Sequence, residues 1–569
     1  MVGELSGAVS LTLSIRNIVA RYWHWAAAVA LAILLWAPRL SGPIDLRWDA
    51  SVYYVLGTSL AAGHGYRIIS EPGSPEALQY PPLLPAVVAL YQRALGSNDP
   101  AIVAPWFRVS YAALFLIYSI SVLALAKTYL PSTYALAATA LCLFHHSTIF
   151  VSDALFAEIP FALLTVVFAL LVTSRGFLAR RVWVRESASF VLGTAAFLLR
   201  TAGIALFAAW VIEAVVQRRW RLAAMRLVLA VLPFLAWQVY VHQVRGSDEY
   251  QHPAYEYQRA PYQFYNVSYA DNALLIDPSR PALGRAGAGA LMLRITKNFP
   301  SVIKTVGEGI SAGTFYWRET LSHAQQRLLG RQLLPSGVMI FPIFGLVALI
   351  AVGLVLLARR DAWFVVLYVI FAIGLICTTP WSFQFSRYVA PVAPFLALSA
   401  TTAFSAITVA LRGLSSHRMA AAGRIAVGAF LGLIFVVQGY TAWRIFAERK
   451  YEGASFVPGK GAVGPHYFYY SLLWRGWEEA VTWIQEHSAP DAIVATPYSH
   501  LCYLRTGRRA VSPPIESDPA RARYLLESVP VSYVIVDRGF SLAAVEDDSS
   551  GWHLAASFEG TRLYERPVR

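Results

Sequence analysis

The stretch from Val338 to Ala358 reads VMIFPIFGLVALIAVGLVLLA, contains no charged residue, and is followed at once by Arg359-Arg360. An α-helix needs about 20 apolar residues to cross the roughly 30 Å hydrocarbon core of a bilayer. This stretch therefore predicts a transmembrane helix. The two arginines predict its cytoplasmic end, because lysine and arginine concentrate in cytoplasmic loops.

Similar apolar runs recur through the first 442 residues, while the chain is 57% hydrophobic and 14% charged. An ordinary soluble domain is roughly 25% charged. We therefore expect a polytopic α-helical membrane protein with about eleven transmembrane helices. The predicted spans are 22–38, 104–126, 132–151, 155–174, 186–199, 201–217, 224–243, 338–358, 362–378, 389–411 and 425–442.

The formal net charge of +14 sits in short arginine clusters between the apolar runs rather than along one stripe. This pattern argues against a nucleic-acid partner. The clusters fall on every second loop, which predicts that these loops are cytoplasmic. They comprise Arg175, Arg180, Arg181 and Arg185; Arg218, Arg219, Arg221 and Arg226; Arg359 and Arg360; Arg412, Arg418 and Arg424; and, as a weaker marker, Lys127.

Arg16 and Arg21 precede the first run, which lacks a small-residue cleavage site and so predicts an uncleaved anchor with a cytoplasmic N-terminus. Eleven crossings then place four polar segments outside: 39–103, 244–337, 379–388 and 443–569. We expect a membrane module over 1–442, with outer loops 39–103 and 244–337, and a non-cytoplasmic domain over 443–569. No GxxxxGK[ST] loop occurs, so energy for a reaction must come with the substrate or from an ion gradient.

Two of the outer segments carry patterns of their own. In 244–337, a helical stretch over 286–312 predicts juxtamembrane helices, and the aromatic run that begins at Tyr250 suits either the membrane interface or sugar stacking. In the tail, helical patterns alternate with short β runs, which predicts a small α/β domain. The helical patterns are 474–487 and 518–528, and the β runs are 492–496 and 531–537.

Asp49 is the strongest candidate for chemistry. It lies in Ile44-Asp-Leu-Arg-Trp-Asp49-Ala-Ser-Val-Tyr53-Tyr54, at the head of a helical pattern directly after the first span. A carboxylate in this position is suited to act as a general base, which typically contributes about 10²–10⁴-fold to a rate. The structural alternative is that Asp49 caps the helix.

Asp153 and Glu158 form a second acidic pair where two spans meet on the predicted outer side. Ionisable residues at membrane depth are rare and usually functional, so both are candidate catalytic residues. Solvation of the loop is the alternative. The adjacent His145 and His146 leave a divalent metal open, although neighbouring side chains point in different directions, and no cofactor is assigned.

Arg200 and Arg387 are exceptional because arginine is depleted on the outer face. The forked guanidinium group matches a phosphate, so both residues are candidates for binding one. The alternatives are snorkelling to lipid headgroups and pairing with a helix C-terminus.

Taken together, these residues resemble the GT-C superfamily of membrane glycosyltransferases, in the broad group of aminoarabinose transferases, protein O-mannosyltransferases and bacterial rhizobial-lipopolysaccharide-type transferases. The resemblance covers nearly the whole chain. It includes the tail, through the stretch from Trp477 to Ile484 and the turn Thr506-Gly507-Arg508. The other motifs are Asp49 with Tyr53-Tyr54, Gly63-His64-Gly65-Tyr66, Tyr80-Pro81-Pro82, Ser152-Asp153 to Glu158-Ile-Pro160-Phe161, and Arg387-Tyr388 with Pro391 and Pro394.

The resemblance implies an inverting transfer of a sugar from a polyprenyl-phosphate donor to a hydroxyl of a cell-envelope glycan, lipid or protein. The reaction would take place on the outer face of a bacterial inner or plasma membrane. Asp49 would be the general base, and Arg387 and Arg200 would bind the donor phosphate. The implied substrate contacts are Tyr53, Tyr54, His64, Tyr66, Tyr80 and Tyr388.

The chain departs from the aminoarabinose transferases, which usually carry Arg-Asp-Glu in the first loop and a Lys-Pro-Pro element. Here the loop reads Arg-Trp-Asp49-Ala and the later element is Tyr80-Pro81-Pro82. The looser bacterial group therefore fits better. A transporter or a flippase for lipid-linked glycans is the main alternative, but it predicts polar residues near span centres and little need for large outer domains. A receptor or scaffold is a third possibility.

Overall fold

The structure is a computed structural model that describes residues 22–173, 181–537, 542–546 and 550–566. Arg16, Arg21, Arg175 and Arg180, which entered the topology prediction, lie outside these residues.

The chain is mainly helical up to residue 451, and every predicted span overlaps a helix. Within the described residues, six helices are long and apolar enough to cross a membrane, or seven if the pair Ser132–Leu143 and His146–Asp153, bent by 60°, is one crossing. Other apolar helices are shorter, so the count of eleven crossings stays a prediction. The helices are 22–36, Asp49–Ala61, Leu83–Leu95, Pro100–Lys127, Ser132–Leu143, His146–Asp153, Glu158–Thr173, Val182–Leu199, Gly203–Val216, Trp220–Arg245, Asp248–Gln251, Tyr269–Ala273, Ala288–Glu308, Thr314–Leu329, Phe341–Ala358, Trp363–Cys377, Phe385–Val389, Ala393–Arg412 and His417–Tyr451.

Local sequence explains where these helices begin and how closely they pack. Pro100 opens its helix at a position that needs no N–H donor, and the Asp99 carboxylate accepts a hydrogen bond from the Ala101 N–H at 2.8 Å. Gly353 faces the helix Ala393–Arg412 so closely that a Cβ atom there would lie 1.8 Å from the Ser399 carbonyl oxygen. Only glycine permits this approach of the two backbones.

One arginine of the predicted cytoplasmic clusters, Arg226, is not solvated as a loop residue would be. Arg226 is buried, and its guanidinium group lies 2.7 Å from both Glu186 and Glu213. It therefore joins the helices Val182–Leu199, Gly203–Val216 and Trp220–Arg245 from within the bundle.

The first outer segment is held against two distant parts of the chain. Asp45 pairs with Ala154 as an isolated parallel bridge, in which the Leu155 N–H donates to the Asp45 carbonyl at 3.0 Å. Arg47 binds the Asp45 carboxylate and also donates to the Phe468 carbonyl at 2.6 Å. The chain that leads into Asp49 is thus fixed beside the turn that leads into Glu158 and beside the start of the tail.

The tail folds as a small α/β lobe, as predicted. Its five-stranded sheet has the order β2-β1-β3-β5-β4, with β1 parallel to β2 and β3, and β5 antiparallel to β3 and β4. The predicted β run 531–537 matches β3, whereas the helix Ser499–Thr506, β2 and the β4–β5 hairpin were not predicted. The elements are helix Leu472–His487, β1 Ile493–Ala495, helix Ser499–Thr506, β2 Ala510–Val511, helix Pro519–Glu527, β3 Val531–Asp537, helix Ala543–Glu546, β4 His553–Phe558 and β5 Thr561–Glu565.

The second outer segment supplies part of the lobe's core. Successive side chains of β3 point to opposite faces, so Val534 packs on one face and Ile535 on the other. Tyr255 and Tyr257 are buried with Val534. The aromatic run of 244–337 therefore joins the lobe to the membrane module, and these two tyrosines are not available for sugar stacking.

Candidate active site

Asp49 is the first residue of the helix Asp49–Ala61, in agreement with the helical pattern. Asp49 lies in the first turn but is not the N-cap residue, because that position belongs to Trp48, which makes no side-chain cap hydrogen bond. The Asp49 side chain is instead turned into the molecule and is only 14% exposed.

The turn into this helix is strained. Trp48 has φ 56°, in the left-handed region that a bulky residue rarely adopts, at a typical cost of about 1–3 kcal/mol. Its indole is held edge-on against Trp474 at 5.5 Å and against Phe150 at 5.4 Å between ring centroids. Packing from the lobe and from the bundle thus fixes the backbone immediately before Asp49.

A chain of ion pairs runs from Asp49 into the bundle. The Arg387 Nη2 atom lies 2.6 Å from Asp49 Oδ2, and its Nε atom donates to Glu158. Arg200 pairs with the same Glu158 oxygen. Glu158 is 1% exposed, so one buried carboxylate holds two guanidinium groups side by side.

Tyr265 binds the other oxygen of Asp49. Its hydroxyl donates to Asp49 Oδ1 at 3.0 Å. Burial, and then the Asp49 carboxylate, raise the pKa of Tyr265 well above its ordinary value, so the phenol stays protonated and remains a donor. Sequence reasoning missed Tyr265, although it lies in the aromatic-rich part of 244–337.

Asp49, Arg200 and Arg387 line one cavity of about 340 Å³. The polar wall includes Asp49, Arg200, Arg387 and Gln384. The apolar part of the lining comes from four helices and includes Phe161, Phe197, Ile204, Phe234 and Trp237. A pocket of this size with a few convergent polar groups is the usual form of a small-molecule site.

Three of the predicted substrate contacts line the cavity and three do not. Tyr53, Tyr80 and Tyr388 line it. The Tyr54 hydroxyl instead donates to the Asn98 carbonyl at 2.9 Å, and the Tyr66 hydroxyl donates to the Tyr80 carbonyl at 2.9 Å. His64 belongs to a separate hollow beside the lobe. The last three are removed from the candidate site because their side chains are directed elsewhere.

Of the two further acids, neither lines the cavity. Glu158 lies behind the two arginines and positions them. Asp153 belongs to another buried cluster, where it pairs with Arg108, lies 3.7 Å from Arg39 and lies 3.8 Å from Arg449. The expected catalytic role of Asp153 is therefore dropped, because three guanidinium groups enclose its carboxylate away from the cavity.

His145 and His146 have adjacent rings, 4.6 Å apart and nearly perpendicular. Within the described residues, no group of three or more His, Cys, Asp or Glu side chains is placed to hold a metal ion. The histidine pair is therefore not part of the candidate site.

Arg245 also lines the cavity, and it was not singled out from the sequence. It ends the helix Trp220–Arg245 and pairs with Asp271. The signal that could have found it is the one that identified Arg200, an arginine at the predicted outer end of an apolar run.

No family profile matches the sequence, and no curated protein matches it. Several solved structures are similar in fold. The archaeal oligosaccharyltransferase AglB from Archaeoglobus fulgidus, in complex with an inhibitory peptide and a dolichol-phosphate, has a TM-score of 0.51 at 12% identity and covers 91% of this chain and 70% of its own.

ArnT from Cupriavidus metallidurans bound to undecaprenyl phosphate has a TM-score of 0.51 at 13% identity, covering 96% of this chain and 99% of its own. The same protein in the apo state has a TM-score of 0.52 at 13% identity, covering 97% and 100%. At identities this low, the structural similarity is evidence of a shared fold and of nothing more. The chain therefore shares the fold of AglB and ArnT, which supports the resemblance that its motifs suggest.

Proposed function

We propose that this protein is an inverting glycosyltransferase that moves a sugar from a polyprenyl-phosphate donor to a hydroxyl acceptor on the non-cytoplasmic face of the membrane. The observation that carries the proposal is the convergence of Asp49 with the guanidinium groups of Arg200 and Arg387 on one cavity. The fold adds support, since structures of similar fold were solved with dolichol-phosphate and with undecaprenyl phosphate.

The two arginines are suited to the donor phosphate. A guanidinium group has five N–H donors, and the ion pairs of Arg387 with Asp49 and Glu158 engage it through Nη2 and Nε only. The remaining donors suit a phosphate oxyanion at the cavity wall. The apolar part of the lining, with Phe197 and Trp237, suits the first isoprene units of the lipid.

Asp49 is suited to remove the acceptor proton. Each carboxylate oxygen has two lone pairs, so the bonds from Tyr265 and Arg387 leave one on each oxygen. As the acceptor oxygen forms its bond to the anomeric carbon, its proton passes to Asp49. The bond from the anomeric carbon to the phosphate oxygen breaks, and the electron pair leaves with the lipid phosphate.

The positive charges in the site also support this reaction. The leaving phosphate is already an anion, so its departure needs fixed positive charge more than an acid. Arg200 and Arg387 are held for that purpose by Glu158. Attack from the side of Asp49, opposite the departing phosphate, gives inversion at the anomeric carbon.

The test uses membranes that contain the full chain, incubated with radiolabelled polyprenyl-phosphate sugars and their endogenous acceptors. We expect transfer by the wild type and a fall of about 10²–10⁴-fold in Asp49→Asn, which keeps the shape of the side chain and removes the base. Glu486→Gln, at an exposed position of the lobe, is the matched control and should behave as wild type.

Absence of transfer by the wild type with every donor sugar tried would refute the transferase proposal. Transfer that survives unchanged in Asp49→Asn would remove Asp49 as the base. The anomeric configuration of the product, read by NMR, tests inversion separately.

A further inference from the structure

His500 connects the C-terminal lobe to the candidate base. It lies on the helix Ser499–Thr506, between β1 and β2, and is 2% exposed. Its ring centroid is 4.9 Å from that of Tyr265, at an angle of 75°. Tyr265 in turn donates its hydroxyl to Asp49 at 3.0 Å.

The imidazole is anchored on its other side. Its Nδ1 atom lies 2.8 Å from the Ser70 hydroxyl oxygen, and the Ser70 carbonyl accepts a hydrogen bond from the Ala510 N–H at 2.8 Å. Ser70 belongs to the first outer segment and Ala510 to β2. The His500 ring is therefore fixed by both the membrane module and the lobe.

Packing alone does not account for a histidine at this position. Among the described residues, no group forms a hydrogen bond with its buried Nε2 atom. An unpartnered buried nitrogen costs free energy that an apolar ring of similar shape would avoid. Burial lowers the pKa of His500 to about 3, so the ring is neutral and does not compete with Arg387 for the Asp49 charge.

The contact between the His500 and Tyr265 rings is edge-to-face, which favours one orientation of the Tyr265 side chain. An edge-to-face contact between aromatic rings has a preferred geometry and resists reorientation. Phe264 contacts the Tyr265 ring at 5.2 Å, and Tyr80 lies at 6.1 Å. His500 is the contact that comes from the lobe, and Tyr265 is the side chain through which it reaches Asp49.

We propose that His500 is a positioning residue by which the C-terminal lobe orients Tyr265 against Asp49, so that docking of the lobe completes the site. The inference rests on the proposed transferase function. It gives the lobe a part in the reaction that does not require the lobe to touch either substrate.

A double-mutant cycle in the full chain tests whether His500 affects kcat through Tyr265. Tyr265→Phe removes the hydroxyl and keeps the ring, and we expect kcat to fall about tenfold, the usual effect of losing one hydrogen bond to a charged group. His500→Ala should give a fall of about the same size with an unchanged KM for the donor. Because His500 acts through the Tyr265 hydroxyl, the double variant should fall no further than Tyr265→Phe alone.

Additive losses in the double variant, about 100-fold together, would overturn the proposal. So would a rise in the donor KM without a change in kcat. His500→Asn keeps a polar atom near Ser70 and removes the ring, so it replaces His500→Ala in the cycle if the alanine variant does not fold. His553→Ala, exposed in β4, is the control and should match wild type.

The two proposals fail in distinguishable ways. The transfer activities of the wild type and of Asp49→Asn decide the transferase proposal. If that proposal fails, the proposed role of His500 fails with it. If Asp49→Asn loses activity while both His500 variants keep the wild-type kcat, the transferase proposal is supported and the positioning role of His500 is refuted.

Discussion

Asp153 and Glu158 are five positions apart in the sequence, and each is a buried carboxylate surrounded by guanidinium groups. The three arginines around Asp153 also donate to backbone carbonyls. Arg39 binds Ile149 at 3.0 Å, Arg108 binds Pro43, and Arg449 binds Pro38 at 3.2 Å. These bonds join the chain around residues 38–43 to the helices Pro100–Lys127, His146–Asp153 and His417–Tyr451.

The arginines around Glu158 differ in what lies beyond them. Arg200 and Arg387 line the cavity, whereas the three arginines around Asp153 do not. The same residue types therefore bind backbone carbonyls in one cluster and line the cavity in the other, where the proposed function assigns them to the donor phosphate.

Glu158→Gln gives the largest effect that this comparison predicts. The amide cannot neutralise two guanidinium groups, so Arg200 and Arg387 repel each other in a buried place. We expect turnover to fall by about 10²-fold or more, since both arginines proposed to bind the donor phosphate are displaced. Removing one partner of a buried ion pair typically costs about 3–5 kcal/mol, so the unfolding free energy should fall too.

Turnover per folded molecule and the thermal midpoint in detergent are the two measurements. Glu213→Gln, which also removes a carboxylate from a buried arginine but at a position that does not line the cavity, is the control for destabilisation. Normal turnover in folded Glu158→Gln would contradict the positioning role of this residue.

Asp153→Asn should show that the two clusters have different roles. It leaves Arg39, Arg108 and Arg449 with uncompensated charge, and we expect a loss of about 3–5 kcal/mol in stability. Turnover per folded molecule should stay within about twofold of wild type, because the cavity is not altered. A fall in turnover as large as that of Glu158→Gln, in protein that remains folded, would restore Asp153 to the active site.

Much of the fold could be predicted from the sequence because it depends on local pattern. Every predicted span overlaps a helix, and the predicted helix over 286–312 is found as Ala288–Glu308. The β4–β5 hairpin was missed since its turn carries a single glycine, and the helix Leu83–Leu95 was missed since it is too short to read as a span.

The candidate site could be predicted only in part. Asp49, Arg200 and Arg387 are polar residues in places where such residues are rare, so each could be found alone. The distinction between Asp153 and Glu158 could not, because it depends on Arg39 and Arg449, which come together only in the folded chain. Tyr265 and His500 were missed because one tyrosine among many, or one histidine in an α/β lobe, carries no local signal.

Arg200→Lys tests whether the guanidinium fork matters as well as its charge. Lysine keeps the charge beside Glu158 but cannot bind a carboxylate and a phosphate at once with fixed geometry. We expect the donor KM to rise about tenfold with a smaller change in kcat. Arg285→Lys, which lies 59% exposed beside Asp271, is the matched control. An unaltered KM in Arg200→Lys would exclude a forked contact between Arg200 and the donor phosphate.

Glu71→Gln gives the smallest effect and sharpens the comparison, because Glu71 is a buried carboxylate held by neutral donors. Tyr255 donates to it at 2.9 Å and Asn266 donates at 2.7 Å. Burial raises the pKa of Glu71 above its ordinary value of 4.5, in spite of these hydrogen bonds. The folded state therefore holds this proton more tightly than the unfolded state.

The direction in which stability changes with pH follows from the linkage between protonation and folding. Below pH 4.5 the carboxyl is protonated in both states and its stabilising contribution is fully present. As the pH rises through the raised pKa, that contribution is lost. The amide introduced by Glu71→Gln cannot ionise, and its oxygen still accepts both hydrogen bonds, so the variant should lose less stability than wild type over this range. Thermal midpoints of both proteins from pH 4 upward measure the difference. Parallel curves would show that Glu71 titrates normally, and that its neutral donors stabilise the charge as well as a guanidinium group does.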